Sequence, residues 1–206
     1  MLFRSVPAAL LMSATAAAMQ VETNHDRNML AQVERLNAGI HAVSDGERYV
    51  TLLVAEIDAD RRLLRYVNCG HNPALVFQAS TGRVTRLNSS CLPIGLSPQE
   101  TCELASAELM PGDIVVFYTD GATEAENALG EQFGIERLSE VVRRNPSLSA
   151  QELRNNIYGA TSNFCSDDFN DDVTILVVKC NFDDGGKSQD RRSNSNRQEY
   201  GLPSHG

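Results

Sequence analysis

Two groups of aspartates, each next to an apolar run, are the residues best suited to chemistry. Asp120 ends the run that follows Gly112, whose β-branched and aromatic residues predict a buried strand, and Gly121 lets the backbone pass close beside it. Asp171 and Asp172 precede a second such run. Adjacent carboxylates repel each other, and their oxygens are ligands that Mg²⁺ and Mn²⁺ prefer. Convergence of the two strand ends would create a metal site; the alternative is that these acids only cap a turn or solvate a strand entrance.

The composition limits the class of protein. The 206 residues carry a net charge of −9, which argues against nucleic acid and anionic membrane as partners. Five cysteines are odd in number and lack the spacing of a metal site, so we expect reduced thiols and a cytoplasmic protein. No apolar run reaches the roughly 20 residues that a membrane helix needs.

The remaining pattern predicts an α+β fold of antiparallel strands with helices near the start and near the end. One helix carries Met29, Val33, Leu36 and Ile40 at helical spacing, with Thr23 or Asn24 as N-cap. The other predicted elements are strands at 49–57, 63–67, 74–78, 83–87 and 101–108, and helices at 134–144 and 149–164, the last with a capping box. Residues 1–180 form one domain, and the polar residues 181–206 form a disordered tail.

The first 19 residues allow two interpretations. One positive charge, an apolar centre and an Ala-rich end are typical of a secretory signal peptide. A buried helix with Pro7 in its first turn is the other interpretation, since Ala, Leu and Met favour helix. We prefer the helix.

Seven motifs occur in a fixed order along residues 5–180. They are Val6-Pro7-Ala8-Ala9-Leu10-Leu11-Met12, Tyr49-Val50-Thr51, Val67-Asn68-Cys69-Gly70-His71-Asn72-Pro73, Leu92-Pro93-Ile94-Gly95-Leu96, Pro111-Gly112-Asp113 through Tyr118-Thr119-Asp120-Gly121-Ala122-Thr123-Glu124-Ala125, Gly130-Glu131-Gln132-Phe133-Gly134, and Asp171-Asp172-Val173-Thr174. This series resembles the metal-dependent PPM serine/threonine phosphatases, in the bacterial branch that controls sigma-factor switches in sporulation and the stress response. We interpret His71 as part of a structural turn, Cys69 as core packing and Glu124 as a support for the loop after Asp120.

The resemblance implies a fold, a cofactor and a reaction. The family has two stacked antiparallel sheets flanked by helices and binds two Mn²⁺ or Mg²⁺ ions at one end of the sandwich. It implies that Asp120 and Asp171 are metal ligands, with Gly121 and Asp172 as neighbours of the site. The implied reaction is hydrolysis of phosphoserine or phosphothreonine on a regulatory protein, an anti-anti-sigma factor in relatives. The attacking group is a metal-activated water, so no protein side chain is a nucleophile; the substrate-binding residues and the oligomeric state are not indicated.

The sequence departs from the family pattern at its start. Two upstream motifs of the family, a Gly-Asp-Tyr-Tyr-Asp strand and a Gly-Asp-Val-Ser-Gly turn, supply further metal-bridging aspartates and are absent here. We therefore expect a weak or absent dinuclear centre and unpaired sheet edges. Two alternatives to an active phosphatase stay open: a catalytically impaired fragment or pseudophosphatase that acts as a binding module, and a secreted acidic domain led by a signal peptide.

Overall fold

Seven strands and four α-helices make up the part of the chain that the computed structural model describes, which is residues 11–13, 15–20, 28–44, 48–98, 101–166, 169 and 171–182. Helix α1 covers residues 11–13 and 15–20. The other elements are α2 (Met29–Ser44), β1 (Leu52–Asp58), β2 (Leu63–Cys69), β3 (Ala74–Gln78), β4 (Arg83–Leu87), β5 (Ala105–Glu108), β6 (Ile114–Tyr118), α3 (Gly134–Arg144), α4 (Ala150–Cys165) and β7 (Ile175–Lys179).

The strands form two antiparallel sheets. The first has the order β1-β2-β5 and the second the order β4-β3-β6-β7. Two hairpins, β1–β2 and β3–β4, supply one pair of strands to each sheet. The chain then returns to the first sheet with β5 and ends its strands in the second sheet, where β6 lies between β3 and β7.

Three apolar layers hold the sheets and helices together. Side chains of α1 and α2 pack on the first sheet, and those of α3 and α4 pack on the second. A third layer lies between the sheets and includes the fully buried Leu64, Leu109 and Val115. Because β6 contributes alternate residues to both the inter-sheet layer and the helical layer, its residues Ile114, Val115 and Val116 are all buried. The fold predicted from the sequence, two antiparallel sheets flanked by helices, is confirmed.

The helices form where side-chain spacing and caps favour them. In α2 the four residues Met29, Val33, Leu36 and Ile40 are all buried, as their spacing predicts. The helix is described from Met29, and Asn28 Oδ1 accepts a 3.3 Å hydrogen bond from the Ala31 amide; Thr23 and Asn24 lie outside the described residues. The predicted capping box of α4 is present, with Ser149 Oγ and the Glu152 carboxylate each accepting the other residue's amide.

Several predicted boundaries differ from the observed ones. The strand predicted at 101–108 begins only at Ala105, and β1 begins at Leu52 rather than at residue 49. Residues 11–13 and 15–20 are helical, in agreement with the helix interpretation of the N-terminal segment. Residues 1–10, including Pro7, and nearly all of the predicted tail lie outside the described residues. Among the described residues, no helix is long and apolar enough to cross a bilayer.

Cysteine pairing corrects one prediction. Cys91 and Cys102 form a disulfide, whereas reduced thiols were expected throughout. The two residues lie 11 positions apart on either side of a loop, which bridges back to Val50 and to Cys69 at the end of β2. This loop brings the sulfurs together by tertiary pairing, and the spacing of cysteines along the sequence carries no sign of it.

Candidate active site

The end of the β6–β7 pair brings the two acidic segments side by side. The last residue pair of the ladder is Tyr118 with Ile175, and beyond it the Thr119 amide donates to the Thr174 carbonyl at 3.1 Å. Thr119 Oγ1 accepts from the Thr174 amide at 2.9 Å and donates to the Asp172 carbonyl at 3.0 Å. One threonine therefore fastens the segment that contains Asp120 to the segment that contains Asp171 and Asp172.

Gly121 allows the closest approach between these two segments. A Cβ at this position would lie 2.6 Å from the Asp172 carbonyl oxygen and 3.1 Å from that of Asp171. A residue with a side chain would push the main chains apart, so glycine is required by packing rather than by its backbone angles. The sequence analysis expects Gly121 to let the backbone pass close beside Asp120, and the main chain that lies against Gly121 is that of the second acidic segment.

The two predicted metal-ligand side chains share a local arrangement. Asp120 opens a short 3₁₀ helix, Asp120–Ala122, and its Oδ1 accepts from the Gly121 amide at 3.0 Å. Asp171 Oδ1 accepts from the Asp172 amide at 2.8 Å. All three aspartates are exposed, and the second oxygen of Asp120 and of Asp171 accepts no hydrogen bond from the described residues. Each side chain is therefore oriented by one neighbouring amide and keeps one oxygen for a ligand.

The loop after Asp120 is held by its own backbone. The Asp120 carbonyl accepts from the amides of Thr123 at 2.8 Å and Glu124 at 2.7 Å. Thr123 is buried, and its Oγ1 lies 3.5 Å from Asn72 Nδ2 in the turn that connects the two sheets. His71 in the same turn donates its amide to Asn68 Oδ1 and lies 3.2 Å through Nδ1 from Thr51 Oγ1. These contacts support the interpretation of His71 as a turn residue, and it does not line the pocket described next.

An open pocket of about 260 Å³ adjoins the acidic segments. Its lining consists of Gly121, Glu124, Ala125, Glu126, Gln132 and Asp171. Asp171 is thus the predicted ligand that faces the pocket, while Asp120 and Asp172 lie beside it. The sequence did not point to Glu126 or Gln132, which form an isolated β-bridge with each other. Gln132 lies within the motif 130–134, which was the one sequence signal for this part of the pocket.

The acidic residues are chemically suited to a hard cation, but the described ones do not form a cluster of three carboxylates. Carboxylate oxygens suit Mg²⁺ or Mn²⁺, and an ion that keeps several waters can be held by one or two carboxylates. Within the described part of the chain, however, no three carboxylates have ligand oxygens within 4.8 Å of one another. Asp120 and Asp171 are therefore of the right chemical type to bind one such ion, and the described residues show no cluster of three carboxylates of the kind that a two-ion centre would need.

Comparisons with known proteins agree on one family. The family model for stage II sporulation protein E (SpoIIE) matches residues 4–181. RsbU of Bacillus subtilis, named a phosphoserine phosphatase, is 26% identical over 178 residues, which is 85% of this chain and 52% of that protein. IcfG of Synechocystis sp. is 32% identical over 141 residues, covering 65% of this chain and 21% of that protein. The chain thus spans about half the length of RsbU and about a fifth of IcfG.

Solved structures share the fold. The PP2C phosphatase domain of B. subtilis SpoIIE with a fragment of its regulatory domain has a TM-score of 0.71 at 19% identity, covering 84% of this chain and 50% of that one. The SiaA-PP2C domain of Pseudomonas aeruginosa has a TM-score of 0.70 at 21% identity, covering 84% of this chain and 70% of that one. At these identities the likeness establishes the fold alone.

Proposed function

Because this chain belongs to the SpoIIE family of PP2C-type phosphatase domains, we propose that it is a metal-dependent serine/threonine protein phosphatase. Its proposed domain comprises residues 1–180. Its proposed substrate is a phosphoserine or phosphothreonine on a regulatory protein of the anti-anti-sigma type, in the cytoplasm. Two relatives, RsbU and RsbP of B. subtilis, are named phosphoserine phosphatases, which supports this class of substrate.

The observation that carries the proposal is the contact of Gly121 with the main chain of Asp171 and Asp172. Through it the two predicted ligands, which are 51 positions apart in sequence, lie at one end of the β6–β7 pair and next to one pocket. An accidental pair of acidic turns would need neither a glycine at this contact nor the Thr119 hydrogen bonds across it.

The charge of the pocket supports a requirement for a cation. Glu124, Glu126 and Asp171 all line it, and among the described lining residues there is no lysine or arginine. A phosphate monoester carries nearly two negative charges at neutral pH, so these carboxylates repel it. A divalent ion would reverse that repulsion. Two similar proteins were solved with such metals, the SpoIIE phosphatase domain after presoaking with Mn and RsbX in complex with magnesium.

Asp120 and Asp171 would hold Mn²⁺ or Mg²⁺ through their second oxygens. When bound, such an ion offsets the charge of the phosphate oxygens and lowers the pKa of the attacking water. The chain itself contributes orientation: Gly121 and Thr119 fix the separation of the two aspartates, and Asp172 contributes its carbonyl to that fastening. Gln132 is a neutral side chain in the pocket that can donate a hydrogen bond to substrate.

Hydrolysis of p-nitrophenyl phosphate in Mn²⁺ tests this function. We expect activity that a chelator removes and that Asp120→Asn and Asp171→Asn each lower by at least about 100-fold, since each loses a charged ligand. Asp60→Asn is the matched control, because Asp60 is an exposed aspartate in the β1–β2 turn. A phosphoserine peptide and a phosphotyrosine peptide then test the substrate class, and only the first should be hydrolysed. Activity that survives chelation, or that both site variants keep, would contradict the proposal.

A second candidate is a catalytically impaired phosphatase domain that works as a binding module. It is favoured by the absence, among the described residues, of three carboxylates whose ligand oxygens lie within 4.8 Å of one another. Folded protein that binds a phosphoserine peptide but does not hydrolyse it in Mn²⁺ or Mg²⁺ would select this alternative. Hydrolysis that depends on Asp120 would eliminate it.

A further inference from the structure

Three cysteine sulfurs lie together at the end of β2 in the first sheet, and none of the three residues lines the pocket beside the acidic segments. Cys69 ends β2, Cys91 lies in the loop after β4, and Cys102 lies in the segment that leads into β5. Cys69 Sγ is 3.2 Å from Cys91 Sγ and 3.9 Å from Cys102 Sγ. All three sulfurs lie within 4.8 Å of one another, and within the described residues they form the one such group of three potential metal ligands.

The backbone around these cysteines is firmly held. Cys69 and Cys91 form a β-bridge, and the amides of Ser90 and Cys91 both donate to the Asn68 carbonyl, at 2.9 and 3.3 Å. Ser89 Oγ donates to the Cys91 carbonyl at 2.8 Å. The positions of the sulfurs are therefore set by main-chain hydrogen bonds and do not depend on the disulfide alone.

The disulfide uses two of the three sulfurs and does not account for the third. Cys69 is fully buried with Val50, Val67 and Ile94 around it, yet its sulfur points at the other two. Core packing needs only a small apolar side chain at position 69, which alanine or valine would provide. Three sulfurs that converge in this way are instead typical of a thiolate metal site.

We propose that the reduced form of this cluster binds one Zn²⁺ through Cys69, Cys91 and Cys102. With Zn–S bonds of about 2.3 Å, three thiolates on one ion lie about 3.8 Å apart. The separation of Cys69 and Cys102 already matches this value, and Cys91 needs only a side-chain rotation once the disulfide is open. Cys91 is half-exposed, so a water molecule can take the fourth position.

The change from the oxidised, metal-free cluster to the reduced, zinc-bound cluster balances in electrons and protons. A phosphine or dithiol reductant supplies two electrons to the Cys91–Cys102 bond and is itself oxidised, and two protons complete the two thiols. Three thiols then release three protons as Zn²⁺ binds, leaving a net charge of −1 on the site. The cluster therefore has an oxidised state without metal and a reduced state with it.

A titration of the whole chain with Co²⁺ tests the site, since thiolate ligands give this ion a characteristic charge-transfer absorption. In phosphine reductant we expect one equivalent of Co²⁺ to produce the band and Zn²⁺ to displace it, and we expect no band without reductant. Cys69→Ser and Cys69→Ala should weaken binding by at least about 100-fold. Cys165→Ser and Cys180→Ser are matched controls, because both cysteines are buried thiols outside the cluster.

The proposal is overturned by any of three results. One is the absence of a thiolate band in reduced wild-type protein, which requires no variant to fold. Another is a band that persists in both Cys69 variants, and the third is its loss in the Cys165 or Cys180 control. Asp120→Asn should leave the band unchanged, so the outcome is separate from that of the phosphatase assay.

Discussion

Replacing Gly121 with alanine is the sharpest perturbation of the acidic site. The added Cβ would lie 2.6 Å from the Asp172 carbonyl oxygen, 3.0 Å from its carbonyl carbon and 3.1 Å from the Asp171 carbonyl oxygen. These are main-chain atoms, which cannot rotate away as the end of a side chain would. The two acidic segments must separate by about half an ångström or more to reach ordinary contact distances. The backbone angles of Gly121 are not left-handed, so this contact is the main cause of any effect.

The expected magnitude follows from that displacement. Overpacking of this kind costs about 1–3 kcal/mol of unfolding free energy. In a chain of this size each kcal/mol lowers the melting temperature by about 2–4 °C, so we expect a loss of about 2–12 °C. Displacing Asp120 from Asp171 should also lower kcat/KM about 10- to 100-fold, because displacements of about 1 Å have effects of that size.

Thermal unfolding measures the loss of stability, and its dependence on Mn²⁺ reports on ion binding. Hydrolysis of p-nitrophenyl phosphate measures the fall in kcat/KM. Gly159→Ala is the matched control, since its Cβ would have no neighbour within 4 Å and the residue lies inside α4. That control should raise stability by up to about 1 kcal/mol through helix propensity. Wild-type melting temperature and wild-type response to Mn²⁺ in Gly121→Ala would refute the reasoning, because the contact would then not fix the site.

Three further predictions concern the scaffold. Ser149→Ala removes the N-cap of α4 and should cost about 1 kcal/mol, seen as a fall of a few degrees in the thermal melt, with Ser147→Ala as the control. Asp113→Ala should cost about 2–3 kcal/mol in urea unfolding, since this buried carboxylate accepts two backbone amides at 2.9 Å that would lose their partner; an unchanged midpoint would contradict this. Burial raises the pKa of Tyr118 from 10.0 to about 12 and, as the larger of two causes, that of the Cys180 thiol from 9.0 to about 11. Because the pKa values of Tyr118 and Cys180 are both raised in the folded state, their contribution to stability is complete below pH 9 and is lost as the pH rises from about 9 to 12. Cys180→Ala should therefore reduce the fall in urea midpoint between pH 8 and 11.

Local patterns predicted the elements that carry the site. The apolar β-branched runs predicted both β6 and β7, and the cap at Ser149 predicted the start of α4. The strand after Asp172 begins only at Ile175, because Thr119 takes the hydrogen bond of the Thr174 amide and draws residues 171–174 into a loop. A local pattern contains no information about such a side chain from another strand.

Contacts between segments that are distant in sequence determine the acidic site, the pocket loop and the cysteine cluster, and local patterns do not encode such contacts. Helices α3 and α4 separate β6 from β7 along the chain, so the residue pattern offered the convergence of the two acidic segments as one of two alternatives, and the resemblance to phosphatases favoured it. The pocket residues Glu126 and Gln132 lie in a loop whose shape depends on the Phe133 amide, which donates to the Ala125 carbonyl at 2.8 Å. Likewise, the cysteine cluster depends on a bridge between the end of β2 and a loop 22 residues later.

The pairing of β6 with β7 also determines which motions can reach the acidic residues. Both strands belong to the sheet that packs on α3 and α4, and β6 is paired on both sides, so this half of the sandwich should open last in hydrogen exchange. We expect the layer of α2, β1, β2 and β5 to open separately from that half, since it belongs to the other sheet. Such a fluctuation reaches the Asp120 loop through the inter-sheet core and through the contact of Asn72 with Thr123. The loop that would respond to a change in the first sheet is therefore the same loop that orients the carboxylate of Asp120.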